Sequence, residues 1–311
     1  AAIAGFLGRM IGDKGAQFVT CSMLVLATLV SWYLFIVVAL GGDPRTVVLF
    51  EWISSGDLTL SWALKVDTLT AVMLIVVTTV SAVVHIYSIG YMHHDKSVAR
   101  FFAYLSLFTF FMLMLVLANN YALLFVGWEG VGLCSYLLIG FWYENPDNGY
   151  AARKAFVVTR VGDTAMAIGL FLLFTQLGTL NIQDMLQAAQ QQWAMGSPLA
   201  IAAALLLLGG AVGKSAQLPL QTWLPDAMAG PTPISALIHA ATMVTAGVYL
   251  VARTHVLFEL APRVQMLVAF VGLATLLMAG FTAMTQRDIK RILAYSTISQ
   301  IGYMFLADRK S

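Results

Sequence analysis

The chain has 311 residues, of which 60% are hydrophobic and only 10% charged, whereas a soluble domain usually carries about 25% charged residues. This composition excludes an ordinary soluble domain and predicts an all-α membrane protein. The net charge of +2 comes without any basic run, so nucleic acid is not expected as a partner. Two cysteines are too few for an iron–sulfur cluster, which takes four thiolates.

Apolar stretches recur along the whole chain. A transmembrane helix needs about 20 mostly apolar residues, and nine stretches come close to or exceed this length, with a partial tenth at 1–8. We therefore predict a polytopic bundle of about nine or ten transmembrane helices. The nine predicted spans are 18–40, 66–90, 101–118, 121–142, 155–176, 199–224, 234–252, 264–284 and 292–307.

Two connecting segments are predicted to have structure of their own. Residues 41–65 contain two β-prone runs around a Ser-Ser-Gly-Asp turn, which predicts an external hairpin on the membrane surface. The glutamine-rich segment 181–195 is predicted to form a surface helix or loop.

Positive residues divide unequally between alternate loops. The richer set, which the positive-inside rule assigns to the cytoplasmic side, has nine members: Arg9, Lys14, Lys96, Arg100, Arg153, Lys154, Arg287, Lys290 and Arg291. The poorer set has four: Arg45, Lys65, Arg253 and Arg263.

Glu129 lies in the middle of an apolar span. It is the ninth residue of 121–142, which puts it about 12 Å into the membrane. An ionised side chain at that depth costs about 2.5–3.5 kcal/mol even on the lenient insertion scale. The carboxylate is either a structural group bonded to a neighbouring helix or a functional one, and its cost favours function.

Lys214 is buried in the same way within 199–224. Pro219 follows five residues later, and its ring clashes with the carbonyl of Ser215, so the helix is predicted to break just after the lysine. Transporters use such breaks at their ion sites. The alternative is a lysine that snorkels to the surface, but Lys214 is far from both ends of the stretch.

Other ionisable residues lie within the predicted spans. His239, six residues into its span, can both accept and donate a proton, and a hydrogen-bonded packing role is the less favoured alternative. Arg160 and Asp163 are three apart on one helix face, which favours an internal ion pair, with Asp163 also a possible proton-entry group. His85 lies near a span end and is a weaker candidate.

A carboxylate, a lysine and a histidine on three different spans are suited to carrying protons. Burial favours the neutral form of each group, whereas pairing favours the charged forms. A Glu129–Lys214 pair that opens and closes would therefore switch the lysine between holding and releasing a proton.

Long motifs in the chain resemble those of a known family. They are GWEGVGLCSYLLIG at 127–140, GKSAQLPLQTWLPDAM at 213–228, GPTP at 230–233, ALIHAATMV at 236–244 and DIKRILAYSTISQIGY at 288–303. The chain resembles subunit L of bacterial NADH:quinone oxidoreductase (respiratory complex I) and its mitochondrial counterpart, subunit 5, which are antiporter-like membrane subunits. The resemblance covers essentially the whole chain.

The resemblance implies an antiporter-like fold of two inverted five-helix repeats with broken helices. It also implies a translocase subunit of the respiratory chain that moves protons while other subunits transfer electrons. No redox cofactor is expected in this chain, because NADH, FMN, iron–sulfur clusters and quinone would be bound by other subunits. The implied partners are other membrane subunits of complex I, protons and the lipid of a bacterial or mitochondrial inner membrane.

The resemblance carries five proton-translocating roles onto this sequence. Glu129 matches the family's fifth-helix glutamate, and Asp163 a sixth-helix aspartate. Lys214 matches the lysine of the broken seventh helix. His239 matches the eighth-helix histidine that passes protons toward the membrane centre, and Lys290 matches a tenth-helix lysine.

Three regions are expected from the same resemblance. Residues 1–100 would form N-terminal membrane helices with the external hairpin, 101–252 the first five-helix repeat, and 264–311 the start of a second repeat. Family members continue beyond this point, so the chain is expected to be a fragment with an incomplete second repeat.

Three other functions are compatible with parts of the sequence. A subunit of a multisubunit Na⁺/H⁺ antiporter is the nearest alternative, and co-purification with flavin and iron–sulfur partners would distinguish it. A membrane cytochrome with His85 and His239 as axial ligands would show a Soret band. A passive scaffold would show no proton flux in liposomes.

Overall fold

A computed structural model of the chain describes residues 1–56, 58–240 and 242–307. Its α-helices are α1 Ala2–Phe6, α2 Gly8–Leu34, α3 Thr68–Tyr91, α4 Val98–Leu117, α5 Tyr121–Ile139, α6 Pro146–Leu177, α7 Ile182–Gln192, α8 Pro198–Lys214, α9 Trp223–Asp226, α10 Thr232–Ala240, α11 Ala246–Arg253, α12 His255–Glu259, α13 Pro262–Thr285 and α14 Ile289–Ala307. A π-helix, Phe35–Leu40, extends α2, and the strands are β1 Arg45–Ser55 and β2 Leu58–Val66.

The helices are those of a membrane protein. Within the described ranges, seven are long and apolar enough to cross a membrane, counting α2 with its π-helical extension and α10 with α11 as single spans. The all-α membrane fold is thus confirmed, whereas the count of nine or ten spans and the division into repeats stay predictions. The last part of the predicted second-repeat segment, 308–311, lies outside the described residues.

Side-chain caps fix where several helices begin. The Asp67, Asn120 and Ser197 side chains accept hydrogen bonds from backbone N–H groups in the first turns of α3, α5 and α8. Such caps satisfy N–H groups that have no partner within the helix. The starts of α3, α5 and α8 are therefore determined locally by the sequence.

A hairpin and a helix are both present in the two segments predicted to have structure of their own, whereas the external position of the hairpin stays a prediction. Strands β1 and β2 pair antiparallel, with Arg45 opposite Val66 and Ser55 opposite Leu58. The hairpin is joined to the bundle where Asn120 Nδ2 donates to Ser61 O at 2.8 Å. Helix α7 lies next to the same end of α5, since Tyr121 N donates to Leu180 O at 2.9 Å.

Contacts between loops define two opposite faces of the bundle. On one face the Trp142 indole donates to Asp95, and Lys154 pairs with Asp226 at 2.6 Å. On the other face lie the hairpin, α7 and the pair of Arg253 with Asp67. The cations divide between these faces as the sequence predicts, so we call them the cation-rich and cation-poor faces.

Glycines let α6 and α8 approach closely inside the bundle. A Cβ placed on Gly162 of α6 would lie 2.7 Å from Gly209 O and 3.0 Å from Gly213 Cα of α8. Only hydrogen atoms fit at this contact. The close approach brings the residues that follow, Asp163 and Lys214, to the same depth in the bundle.

Candidate functional site

Helix α8 ends at Lys214, as the position of Pro219 predicts. The chain then runs without regular structure from Ser215 until α9, and Ala216 has a positive φ of 49°. A non-glycine residue in this region is uncommon and needs support from its surroundings. Lys214 therefore occupies the last helical position before a break inside the bundle.

Tertiary contacts bind the polar groups of the broken segment. Ser215 Oγ donates to Val244 O at 2.7 Å, and Leu218 N donates to Thr275 Oγ1 of α13 at 3.1 Å. The Trp223 indole donates to Gly213 O at 3.1 Å, which satisfies a carbonyl at the end of α8. Irregular backbone at membrane depth requires such partners, because no lipid group can supply them.

The Lys214 ammonium is paired with Asp163. Nζ lies 3.2 Å from Asp163 Oδ2, and the two side chains are only 1% and 3% exposed. The second carboxylate oxygen, Oδ1, accepts a hydrogen bond of 2.6 Å from the Trp128 indole. Asp163 and Lys214 thus form a fully buried ion pair between α6 and α8, and the Trp128 indole adds a hydrogen bond from α5.

Glu129 of α5 pairs with Arg160 of α6. Glu129 directly follows Trp128, and Arg160 lies three residues before Asp163. Glu129 Oε2 contacts the guanidinium, while Oε1 is buried with no partner among the described residues. Arg160 is 42% exposed and stacks over Phe156, with its Cζ 4.7 Å from the ring centroid. Two carboxylates and two cations thus form a neutral set of four charges.

Both ion pairs expected from the sequence differ from the observed ones. Glu129 pairs with Arg160 rather than with Lys214, and Asp163 pairs with Lys214 rather than with Arg160. The physical reason is the close α6–α8 contact, which brings Asp163 against the end of α8. An i,i+3 spacing shows that two residues share a face, but not which neighbour they meet there.

His239 lies in α10 and forms no hydrogen bond within the described part of the chain. Both ring nitrogens are buried and lack a partner there. Buried polar atoms in this situation are usually bonded to internal water. His239 therefore forms no hydrogen bond with the four-charge set.

Lys290 lies in the first turn of α14, on the cation-rich face. Its Nζ is 3.5 Å from the carbonyl oxygens of Met228 and Gly230. Nearby, Asp226 pairs with Lys154 and lies 3.8 Å from Arg291. The structure thus places Lys290 at the cation-rich face, and its role in proton translocation stays a prediction.

His85 is more deeply buried than the sequence indicates. It is fully buried in α3, with Nδ1 2.8 Å from Ser81 O and Nε2 3.3 Å from Ser106 Oγ. Both ring nitrogens are therefore engaged in hydrogen bonds. This geometry fits a packing role.

A second buried ion pair, Arg253 with Asp67, is absent from the sequence-based prediction. Arg253 contacts both Asp67 oxygens and donates to Thr70 Oγ1 and to the phenolic oxygen Oη of Tyr249. Burial disfavours ionisation of Asp67, but the hydrogen bonds and charge of Arg253, with bonds from Thr70, outweigh it and lower the Asp67 pKa to about 2. The available sequence signal was the N-cap position of Asp67 before an apolar helix.

Metal ligands and thiols form no further site within the ranges that the structure describes. Among the residues that the structure describes, no group of three or more His, Cys, Asp or Glu side chains is arranged to hold a metal ion. Cys21 and Cys134 are both free thiols.

Family models match most of the sequence. The model described as "NADH:quinone oxidoreductase/Mrp antiporter, TM" matches residues 118–308, well over half of the chain. The chain belongs to this family. A second model, "NADH-Ubiquinone oxidoreductase (complex I), chain 5 N-terminus", matches residues 52–102 of this antiporter-family chain.

Curated relatives agree with this membership. NADH-quinone oxidoreductase subunit L of Pseudomonas aeruginosa is 61% identical over 266 residues, covering 86% of this chain and 43% of the relative. NADH-ubiquinone oxidoreductase chain 5 of Rhizopus stolonifer is 50% identical over 306 residues, covering 98% of this chain and 46% of the relative. The chain thus spans less than half the length of these relatives.

A solved structure has the same fold. A chain in the Mrp complex from Dietzia sp. DQ12-45-1b superposes with a TM-score of 0.87 at 31% identity, covering 99% of this chain and 32% of that one. The antiporter-like fold is therefore shown. With bacterial and mitochondrial relatives and apolar membrane helices, the chain is a multi-pass protein of the bacterial inner membrane or its mitochondrial counterpart.

Proposed function

We propose that the chain is part of a proton-translocating membrane subunit of NADH:quinone oxidoreductase. The observation that carries the proposal is the Asp163–Lys214 pair, which is almost fully buried at the break after α8. An ion pair at this depth is costly to form. A role in which one group changes its charge during a reaction cycle would explain why the protein contains so costly a pair.

Two complete pairings of the four charges are possible. The observed one joins Glu129 to Arg160 and Asp163 to Lys214. Because Arg160 and Asp163 are three apart on α6, they can also meet each other, which would leave Lys214 to Glu129. Exchange between the two pairings would pass through a state in which the Lys214 ammonium has no anion beside it.

In this apolar setting, a lysine side chain without an anion beside it favours the neutral amine over the charged ammonium. Lys214 would then release a proton from Nζ and regain one when pairing is restored. His239 is the proposed acceptor, since its ring nitrogens lack protein partners among the described residues and can bond to water. Lys290, on the cation-rich face, is the proposed proton-supplying group.

Electron transfer is assigned to other subunits of the proposed complex. NADH, FMN, iron–sulfur clusters and quinone would be bound there, and this chain would take part as a translocase subunit through protons alone. Other membrane subunits are its proposed partners. The relatives named as oxidoreductase subunits, at 61% and 50% identity, support this assignment.

A subunit of a multisubunit Na⁺/H⁺ antiporter is the second candidate. The superposition with the Mrp complex chain, at 31% identity, favours it. Purification of the full-length protein with its natural partners distinguishes the two. Flavin and iron–sulfur absorption in the purified complex supports the oxidoreductase, and their absence supports the antiporter.

Isosteric variants of the two carboxylates test proton translocation. Asp163→Asn and Glu129→Gln remove charge but little volume, so the complex should still assemble. We expect fewer protons taken up per NADH oxidised by membrane vesicles. Asp184→Asn is the control, because that carboxylate is exposed on α7. Normal uptake by both assembled variants would contradict the proposal.

A further inference from the structure

The Trp128 indole occupies one oxygen of the Asp163 carboxylate. Trp128 is fully buried, and its Nε1–H donates to Asp163 Oδ1 at 2.6 Å. Lys214 uses the other oxygen, Oδ2, at 3.2 Å. Each carboxylate oxygen therefore has one donor, and the donors come from two different helices.

Gly132 provides the space that the Lys214 ammonium fills. A Cβ built on Gly132 would lie 2.6 Å from Nζ, closer than two such atoms can approach. The atom in conflict is the far end of a flexible side chain. A methyl group at this position would therefore displace the ammonium and leave the α5 backbone in place.

Trp128 and Gly132 are four residues apart on α5, so they share one helix face. One residue binds the anion of the pair, and the other makes room for the cation. Glu129, on the adjacent face, holds Arg160. Residues 128–132 of α5 thus include one of the four charges, Glu129, and contact the other three.

We propose that Trp128 and Gly132 are positioning residues that select which cation binds Asp163. The proposal rests on the proposed function. Arginine binds a carboxylate most strongly through two parallel hydrogen bonds, which need both oxygens. The indole binds Oδ1 and Lys214 binds Oδ2. A two-bond contact from Arg160 would therefore have to share both oxygens with these donors, so Arg160 competes poorly for Asp163 and remains with Glu129. Lysine needs a single oxygen, so Lys214 is the favoured partner of Asp163.

Loss of the indole N–H should therefore shift Asp163 from Lys214 to Arg160. Trp128→Phe keeps an aromatic ring but removes the donor. We expect less proton uptake per NADH oxidised in vesicles containing the full complex. Trp142→Phe is the matched control, because that indole also donates to a carboxylate, Asp95, but at the exposed cation-rich face.

Rescue distinguishes positioning from packing. Lysine cannot form the two-bond contact, so Arg160→Lys should partly restore proton uptake in the Trp128→Phe background. If Trp128 only fills space, Arg160→Lys would give no recovery. Normal uptake by Trp128→Phe, or a defect that Arg160→Lys does not relieve, would overturn the selection role.

Gly132→Ala gives a second test that adds only one methyl group. It should lower proton uptake with the complex still assembled, whereas Gly149→Ala should have no effect, since a Cβ there meets nothing within 4 Å. Normal uptake by Gly132→Ala would overturn the inference. Asp163→Asn, measured alongside, separates the two levels. If Asp163→Asn also takes up protons normally, the proposed function fails. If Asp163→Asn is impaired while Trp128→Phe and Gly132→Ala are normal, only the roles of Trp128 and Gly132 fail.

Discussion

Two buried cations of this chain are bonded in very different ways. Arg253 donates to Asp67, Thr70 and Tyr249. The Lys214 ammonium, which has three N–H groups, has a single hydrogen-bond partner among the described residues, Asp163. A cation held by many bonds is suited to stabilising a fold, whereas a cation held by one can be released. The contrast supports a structural role for Arg253 and a transfer role for Lys214.

The structural role of Arg253 predicts a large loss of stability in Asp67→Asn. The variant leaves a buried guanidinium without its anion, which costs about 3 kcal/mol, so the melting temperature of the solubilised full-length protein should fall clearly. The control is Asp43→Asn, whose pair with Arg45 is exposed on both sides and should matter little. Equal melting temperatures for the two variants would contradict the role.

The same pair gives an acid dependence. The Asp67 pKa is about 2 in the folded chain, below its ordinary value of 3.8. Because the Asp67 carboxyl ionises more readily in the folded chain than in the unfolded chain, its ionised form stabilises the fold at pH values above about 4. This stabilisation is lost as the pH falls from about 4 toward 2. Asp67→Asn should therefore lose less stability than the unmodified protein over this range.

The sequence alone singles out a residue as a candidate where its depth in the membrane makes its charge costly. Glu129 and Lys214 are conspicuous because charge within an apolar stretch is costly. Their partners were not predictable, because pairing depends on how α5, α6 and α8 are aligned. Trp128 belongs to the motif at 127–140, but its bond to Asp163 appears only in three dimensions.

At the scale of elements, the break after α8 is held from outside the helix. Pro219 explains why α8 ends, and the sequence predicted this end correctly. The contacts that support the broken segment come from α13 and from residue Val244, far along the chain. No local pattern could have indicated them.

The support from α13 can be tested with Thr275→Val. Thr275 Oγ1 accepts from Leu218 N, and valine keeps the shape but removes the acceptor. An unsatisfied buried N–H costs about 1–3 kcal/mol, so the broken segment should loosen and proton uptake per NADH should fall. Thr282→Val is the matched control, because that hydroxyl donates only to Met278 within α13. Equal uptake by the two variants would show that α13 does not support the break.

At the scale of the whole molecule, the groups proposed to carry protons lie at different depths of the bundle. Lys290 lies at the cation-rich face, whereas the Asp163–Lys214 pair is buried inside the bundle. Glu129 holds Arg160, which is partly exposed, beside that pair. Arg253, Asp67 and the hairpin close the cation-poor face. The uneven loop charges predicted this separation of faces, although the assignment of the cation-rich face to the cytoplasm stays a prediction.

The central claim is that Lys214 releases and regains a proton, and Lys214→Arg tests it most directly. Arginine keeps the positive charge beside Asp163, but its guanidinium stays protonated at any accessible pH. The measurement is proton uptake per NADH oxidised in membrane vesicles, normalised to complex abundance, with Lys214→Ala in parallel. The account predicts that the arginine variant assembles better than the alanine variant yet pumps almost as poorly. Near-normal proton uptake in Lys214→Arg would reduce the lysine to a structural counter-ion and contradict the account.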